Sequence, residues 1–211
     1  YVNVIPVDYE DQPNNRNIVA PMIASGQRYT LALRSDGTVW GWGDNTYGQL
    51  GADTGVSANA SKSSTPIQVR LTVNDPDDIN NGKTMTATQV AVGGTVNSNG
   101  VSTSGHIAVL TEEGAVYTWG DNSRGQLGNN TRDNSTAPVL TYLSDGVSTE
   151  PSEYIHSYKL NGKTEIVGNG YANRALAVSA GGKHTAAILD DGHVYVWGDN
   201  TKGQLGNLIP N

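Results

Sequence analysis

The chain has 211 residues, 13 basic and 20 acidic side chains and a formal net charge of −7; no stripe of Lys or Arg runs through it, which argues against nucleic acid and against an anionic membrane as partners. With 16% charged and 36% hydrophobic residues, 26 Gly and no Cys, it excludes a helical bundle, a disulfide framework and a thiolate metal site. Abundant Gly, Asn, Ser and Thr beside β-branched residues fit many short strands joined by tight turns.

Tyr1 to Glu10 show neither a basic start nor a long apolar segment, and no run approaches the length of a membrane span. No signal peptide or membrane insertion is therefore expected within this sequence, and any export signal would have been removed or lie upstream. A Pro in apolar company, Ile5-Pro6-Val7, recurs at Pro66-Ile67, Pro138-Val139 and Ile209-Pro210. It marks three units of one array, approximately 6–65, 66–137 and 138–209.

In the first unit an apolar run, Leu31 to Leu33, meets the turn Asp36-Gly37 and a second run, Val39 to Trp42. An acidic-Gly pair between β-rich segments predicts a hairpin. The tail Trp42-Gly43-Asp44-Asn45-Thr46-Tyr47-Gly48-Gln49-Leu50-Gly51 follows. Next comes an acidic cluster, Asn74-Asp75-Pro76-Asp77-Asp78, whose oxygens could face Ca²⁺. It lacks the alternation and the distal Glu of an EF-hand loop and is read as a solvated turn.

The second unit repeats the pattern with Ile107 to Leu110, Glu113-Gly114, Val116 to Trp119 and a tail from Trp119 to Gly128. The third has Ala186 to Leu189, Asp191-Gly192, Val194 to Trp197 and a tail from Trp197 to Gly206. Eight of ten tail positions are identical in all three. Thirteen residues before each tail Trp stand Tyr29, His106 and His184. Trp40 with Trp42, Tyr117 with Trp119, and Tyr195 with Trp197 are two apart and share a face, with Val39, Val116 and Val194 on the other. Both faces are apolar, so each sheet is expected between neighbours, as propeller blades are.

These residues resemble the regulator-of-chromosome-condensation repeat: a Gly-Gly-x-His near one strand, an acidic-Gly hairpin and a Trp-Gly-x-Asn-x-x-Gly-Gln-Leu-Gly tail. Ala180-Gly181-Gly182-Lys183-His184 through Gly206 matches throughout. The resemblance implies an all-β fold of four-stranded antiparallel propeller blades, here three units of a ring that usually has seven. The chain departs from the pattern at Tyr29, where the repeat has His. It also departs at an expected ten-residue loop between Gly94 and His106, and at insertions near Asn74 to Thr84 and Ser144 to Gly170.

The recurring Asp and Asn of the tails read as Asx-turn formers, with Gln and Leu locking each turn against the next blade. His106 and His184 occupy equivalent positions on separate units and read as structural. No His pair has metal-ligand spacing, no Gly-x-Ser-x-Gly elbow is present, and Gly93-Gly94 and Gly181-Gly182 lack the Lys-Ser or Lys-Thr of a phosphate loop. No catalytic residue, metal or cofactor is expected. Asn59, Asn129 and Asn134 stand in glycosylation acceptor triplets, which an Asn-rich and Ser-rich chain also produces by chance.

The Ser144 to Gly170 insertion concentrates aromatic residues, and Tyr142, Tyr154, His156 and Tyr158 in and beside it are the candidates for contact with a protein partner. The leading expectation is a non-enzymatic interaction scaffold. The family it resembles includes guanine-nucleotide exchange factors and secreted β-lactamase inhibitors, both acting through protein contacts, and no partner-contacting loop of either matches here. Alternatives are a carbohydrate-active bacterial surface enzyme and an architectural spacer or assembly module, with open blade ends free to form a homodimer. Lack of Cys, a pI near 4.9 and the polar composition suggest a bacterial, extracellular setting.

Overall fold

The computed structural model describes residues 19–51, 61–72, 82–141, 157–160, 163–166, 174–190 and 192–206. Among them every regular element is a strand. The first unit holds β1 (Met22–Ser25), β2 (Tyr29–Leu33), β3 (Val39–Asp44) and β4 (Lys62–Val69), antiparallel in the order β1-β2-β3-β4. The second holds β5 (Ala87–Val96), β6 (Ser102–Thr111), β7 (Val116–Gly120) and β8 (Ser135–Leu140) in the same up-and-down order. A separate hairpin pairs β9 (Ser157–Leu160) with β10 (Lys163–Ile166). The third unit shows β11 (Ala175–Ala180), β12 (His184–Leu189) and β13 (Val194–Gly198). Its counterpart to β4 and β8 would fall on residues outside those described, as does the Asn74 to Asp78 cluster.

The acidic-Gly pairs make the expected hairpins. Gly37 N–H donates to the Arg34 carbonyl and Arg34 N–H to the Thr38 carbonyl; Gly114 with Thr111, and Gly192 with Leu189, do the same. Each is a short turn closed by a Gly bulge rather than a bare two-residue connection. Pro66 lies within β4 and Pro138 within β8. Both are edge strands, and the register shifts beside these prolines, so no ladder donor is lost.

One expectation is corrected. The segment between Gly94 and His106 is not a loop: it extends both strands of the β5–β6 hairpin, pairing Gly94 with Gly105, Thr95 with Ser104 and, after a bulge, Val96 with Ser102. Alternating Thr, Val and Ser favour this extension, and Asn97 makes the turn. Its Oδ1 accepts from the N–H groups of Asn99 and Val101, while its own N–H donates to the Val101 carbonyl.

The core lies between the sheets. Tyr29, Leu31, Leu33 and Val39 of the first unit pack against Val90, Ile107, Val109, Tyr117 and Trp119 of the second. Leu110 and Val116, on the opposite face of the second unit, pack against Ala175, Ala187 and Leu189 of the third. Every residue of β7 is buried, the outcome expected of a sheet apolar on both faces.

Candidate interaction surface

The repeated tail is a self-contained turn. Asn45 Oδ1 accepts from Leu50 N–H at 2.8 Å, Asn122 Oδ1 from Leu127 N–H at 3.0 Å and Asn200 Oδ1 from Leu205 N–H at 3.0 Å. Gln126 Oε1 accepts from Arg124 N–H, and Gln126 Nε2 donates to Asp121 Oδ2 at 2.7 Å; Gln204 and Asp199 repeat this pair at 2.9 Å. The Gln side chain thus closes its own turn. The contact with the next unit comes from its main-chain carbonyl, which accepts the next tail Trp: Trp119 Nε1 to Gln49 O at 3.0 Å and Trp197 Nε1 to Gln126 O at 2.9 Å.

The His position forms a second stitch, in two versions. Thr185 Oγ1 donates to Gln126 O at 2.8 Å and so accepts from His106 Nε2–H at 2.9 Å. This fixes the tautomer and leaves Nδ1 buried without a hydrogen-bond partner. Burial pushes the His106 imidazole down to about 4, although the Asp121 carboxylate nearby pulls the other way. At the first seam Tyr29 replaces His and Ile107 replaces Thr, and the Tyr29 hydroxyl lies 2.6 Å from both the Gly93 and the His106 carbonyl oxygens. Burial raises its phenol well above the usual range.

The inner ends of β1, β5 and β11 converge around a shallow cleft of about 500 Å³, to which Gly26, Gly93 and Gly181 contribute at equivalent positions. The extended β5–β6 hairpin rises beside it. Arg28 Nη1 of the first unit donates to the Gly100 carbonyl at the hairpin turn, and Ser104 Oγ donates to the Gly182 carbonyl of the third at 3.3 Å. Asn97 to Gly100 are exposed at the tip and Val101 is 53% exposed. The tip is therefore a fixed projection held by both neighbours, with a polar crown and one apolar side chain.

Of the residues singled out for partner contact, Tyr142, Tyr154 and His156 lie outside the described residues. Tyr158 lies on β9, its backbone paired with Glu165. The projecting tip and the Tyr29–Ile107 exchange escaped the sequence reading. The exchange left a signal, since Thr30, Ile107 and Thr185 align immediately after Tyr29, His106 and His184.

Comparison with known proteins agrees with this geometry. Profiles described as "Regulator of chromosome condensation (RCC1) repeat" match residues 23–49, 113–149 and 176–204. The chain is 28% identical over 187 residues to the human E3 ubiquitin-protein ligase HERC2, covering 89% of this chain and 3% of that protein. It is 31% identical over 184 residues to the human probable E3 ubiquitin-protein ligase HERC6, covering 87% of this chain and 13% of that one. The chain thus spans a small part of these relatives. Among solved structures, human WBSCR16 superposes with a TM-score of 0.58 at 24% identity, covering 89% of this chain and 36% of that one. Prp20p from Saccharomyces cerevisiae, described with its binding to Gsp1p and histones, superposes at 0.53 and 21% identity, covering 89% and 34%.

Proposed function

Because this chain belongs to the regulator of chromosome condensation repeat family, we propose that it is a non-enzymatic binding module, a rigid propeller segment holding inserted loops against a protein partner. The observation that supports this reading most is the β5–β6 hairpin. The three units agree in their strands, tails and seams, yet the second alone among the described inner hairpins is extended, and the extension is braced from both sides. Bracing removes the entropy that a free loop would lose on binding, which is how a scaffold gains affinity from a small contact.

The Tyr-rich segment with Tyr142, Tyr154, His156 and Tyr158 is the second contact region in this proposal, since Tyr gives large contact area at low entropic cost. The test is site-specific photo-crosslinking in the full-length protein in its native cells. A crosslinker at Val101 or at Tyr158 is expected to capture the same protein, and one at buried Leu31 nothing. A partner whose association is unchanged when the Asn97 to Val101 tip is cut to a tight turn and Tyr142, Tyr154 and Tyr158 are changed to Ala would overturn the assignment.

A further inference from the structure

Strand order fixes which connections share a side of the sheets. The tail turns, the loops that follow them and the β5–β6 tip lie on one side, and the acidic-Gly turns lie on the other. Among the described residues, the tail side carries Arg28, Lys62, Arg124, Arg132, Lys183 and Lys202 against Asp133 and the three tail Asp. The net charge of −7 therefore hides a side on which cations prevail.

The tail carboxylates are turned inward. Asp121 is 2% exposed and accepts from the Gln126 amide and the Ser123 hydroxyl. Asp44 accepts from Thr46, and Asp199 from Thr201 and Gln204, each within its own turn. The cations stay outside: Lys62, Arg132 and Lys202 are exposed and, among the described residues, form no ion pair. On the opposite side the commitments are reversed. Arg34 pairs with Asp36, Lys83 with Glu113, and Arg174 donates to the Glu112 and Glu113 carbonyls, which leaves Arg70 alone uncommitted among the described cations there.

The repeat points to the same surface. Of the two varying tail positions, one is Thr or Ser, whose hydroxyl answers the turn Asp; the other is Tyr47, Arg124 and Lys202. The main chain of this second position is held in every unit, its N–H donating to the Gln Oε1 at 2.9, 2.8 and 2.8 Å. Its side chain is left free to differ. Arg124 has 53% of its side chain exposed and reaches Asp199 only at 3.9 Å. Arg132 lies on the loop after the same turn, and that loop is fixed from beneath: Asn122 Nδ2 donates among oxygens of Asn129, Thr131 and Asp133 at 3.0–3.2 Å. Two exposed guanidinium groups thus stand on rigid supports, which spares the entropy of ordering their backbone on binding.

We infer that the tail side of the second unit binds an acidic segment of a protein partner, with Arg124 and Arg132 as its counter-charges. The inference rests on the protein-binding reading above and gives that partner its chemistry. A nucleic acid fits less well. Asp121 and Asp199 stand 3.6 and 3.9 Å from Lys183 and Arg124, so a continuous row of phosphates would meet carboxylates between the cations. Separate carboxylates on a peptide can meet the cations one at a time, an arrangement that favours specificity.

The test is fluorescence anisotropy of a labelled peptide of alternating Asp and Gly titrated with the full chain, beside a Lys and Gly peptide and a double-stranded DNA. Saturable binding of the Asp peptide is expected, weakening as salt is raised. Arg124→Glu and Arg132→Glu are each expected to weaken it at least about fivefold, as an attraction becomes a repulsion, with the far-ultraviolet circular dichroism unchanged. Arg70→Glu makes the same change in net charge on the opposite side and is expected to leave binding as it was. No saturable binding of the Asp peptide, equal weakening by Arg70→Glu, or tighter binding of the DNA overturns the inference. A partner crosslinked from Val101 without any binding of the Asp peptide would remove the acidic chemistry and leave the binding module standing. Charge-dependent peptide binding by a chain from which Val101 and Tyr158 capture nothing would do the opposite.

Discussion

The phenol of Tyr29 lies 2.6 Å from the backbone carbonyl of His106, the residue that holds Tyr29's own position one unit later. One position in the repeat thus serves as donor across the seam in the first unit and as acceptor from it in the second. The side chain it needs depends on the neighbour. Where Thr185 supplies a hydroxyl, an imidazole reaches it; where Ile107 supplies none, the longer phenol reaches past to the main chain.

Tyr29→Phe is therefore expected to destabilise the fold by about 1–3 kcal/mol, the cost of leaving buried carbonyls short of a donor. Tyr29→His should cost at least as much, because the imidazole meets Ile107. Adding Ile107→Thr is expected to recover part of the loss, with a favourable coupling of about 1 kcal/mol. Denaturant midpoints of the two single variants and the double variant measure this coupling, and strict additivity would show that the pairing of Tyr with Ile is incidental.

Acid should open the second seam before the first. Burial depresses the His106 imidazole from its ordinary 6.5 to about 4 in the folded chain, so between these values the unfolded chain binds the proton and the folded chain does not. Stability then rises with pH across this window. Its contribution is complete above about pH 6.5 and is lost as pH falls through 4, amounting to roughly 3 kcal/mol. His106→Gln, which cannot titrate, is expected to flatten unfolding free energy between pH 6.5 and 4 while lowering it at neutral pH. A wild-type curve already flat in that range would contradict the buried neutral imidazole.

Much of this architecture could be read from the letters. The tails, the acidic-Gly turns and the paired aromatic residues repeat at fixed offsets, and strand periodicity places them on opposite faces, so sheets packed on both sides followed directly. Two features could not be read that way. The extension of the β5–β6 hairpin looked like a loop because Asn, Ser and Gly dominate it; Asn97 and Gly100 in fact make one tight turn, and Thr95, Val96, Ser102 and Thr103 alternate as strand. The side chains of Gln126 and Gln204, expected to bridge blades, instead satisfy their own turns, while that of Gln49 accepts from Tyr47 N–H and leaves its Nε2 buried without a partner. A main-chain carbonyl carries no signal in the sequence, so the Trp119 to Gln49 bond was not visible there.

The Gly that follows each tail Trp is fixed by geometry that a side chain cannot share. Gly120 has φ of 105° at the bulge where β7 leaves register with β8, and a Cβ there would stand 2.3 Å from the Gly105 carbonyl oxygen of the neighbouring strand. Gly100 at the hairpin tip also has positive φ, 71°, but open space around it. Gly100→Ala is expected to cost about 1 kcal/mol from backbone strain alone. Gly120→Ala adds a main-chain clash and should cost at least about 3 kcal/mol, as strain and overpacking combine. Thermal unfolding of the two variants separates conformational strain from steric exclusion.

The same indole bond should differ in worth according to what covers it. Trp119 and Trp197 donate to equivalent carbonyls at 3.0 and 2.9 Å, but Trp119 is fully buried between two sheets and Trp197 only partly. Trp119→Phe removes a donor from a site water does not reach and leaves a cavity beside Gln49, an expected loss of about 3 kcal/mol. At Trp197 the vacated carbonyl of Gln126 keeps the Thr185 hydroxyl as a donor, which lowers the expected loss to about 1 kcal/mol. Equal losses by chemical denaturation would mean that the bond itself, rather than its enclosure, sets the strength of a seam. A larger loss at Trp119 would mean that a seam with one side-chain donor to its carbonyl depends on the indole more than a seam where Thr185 shares the task.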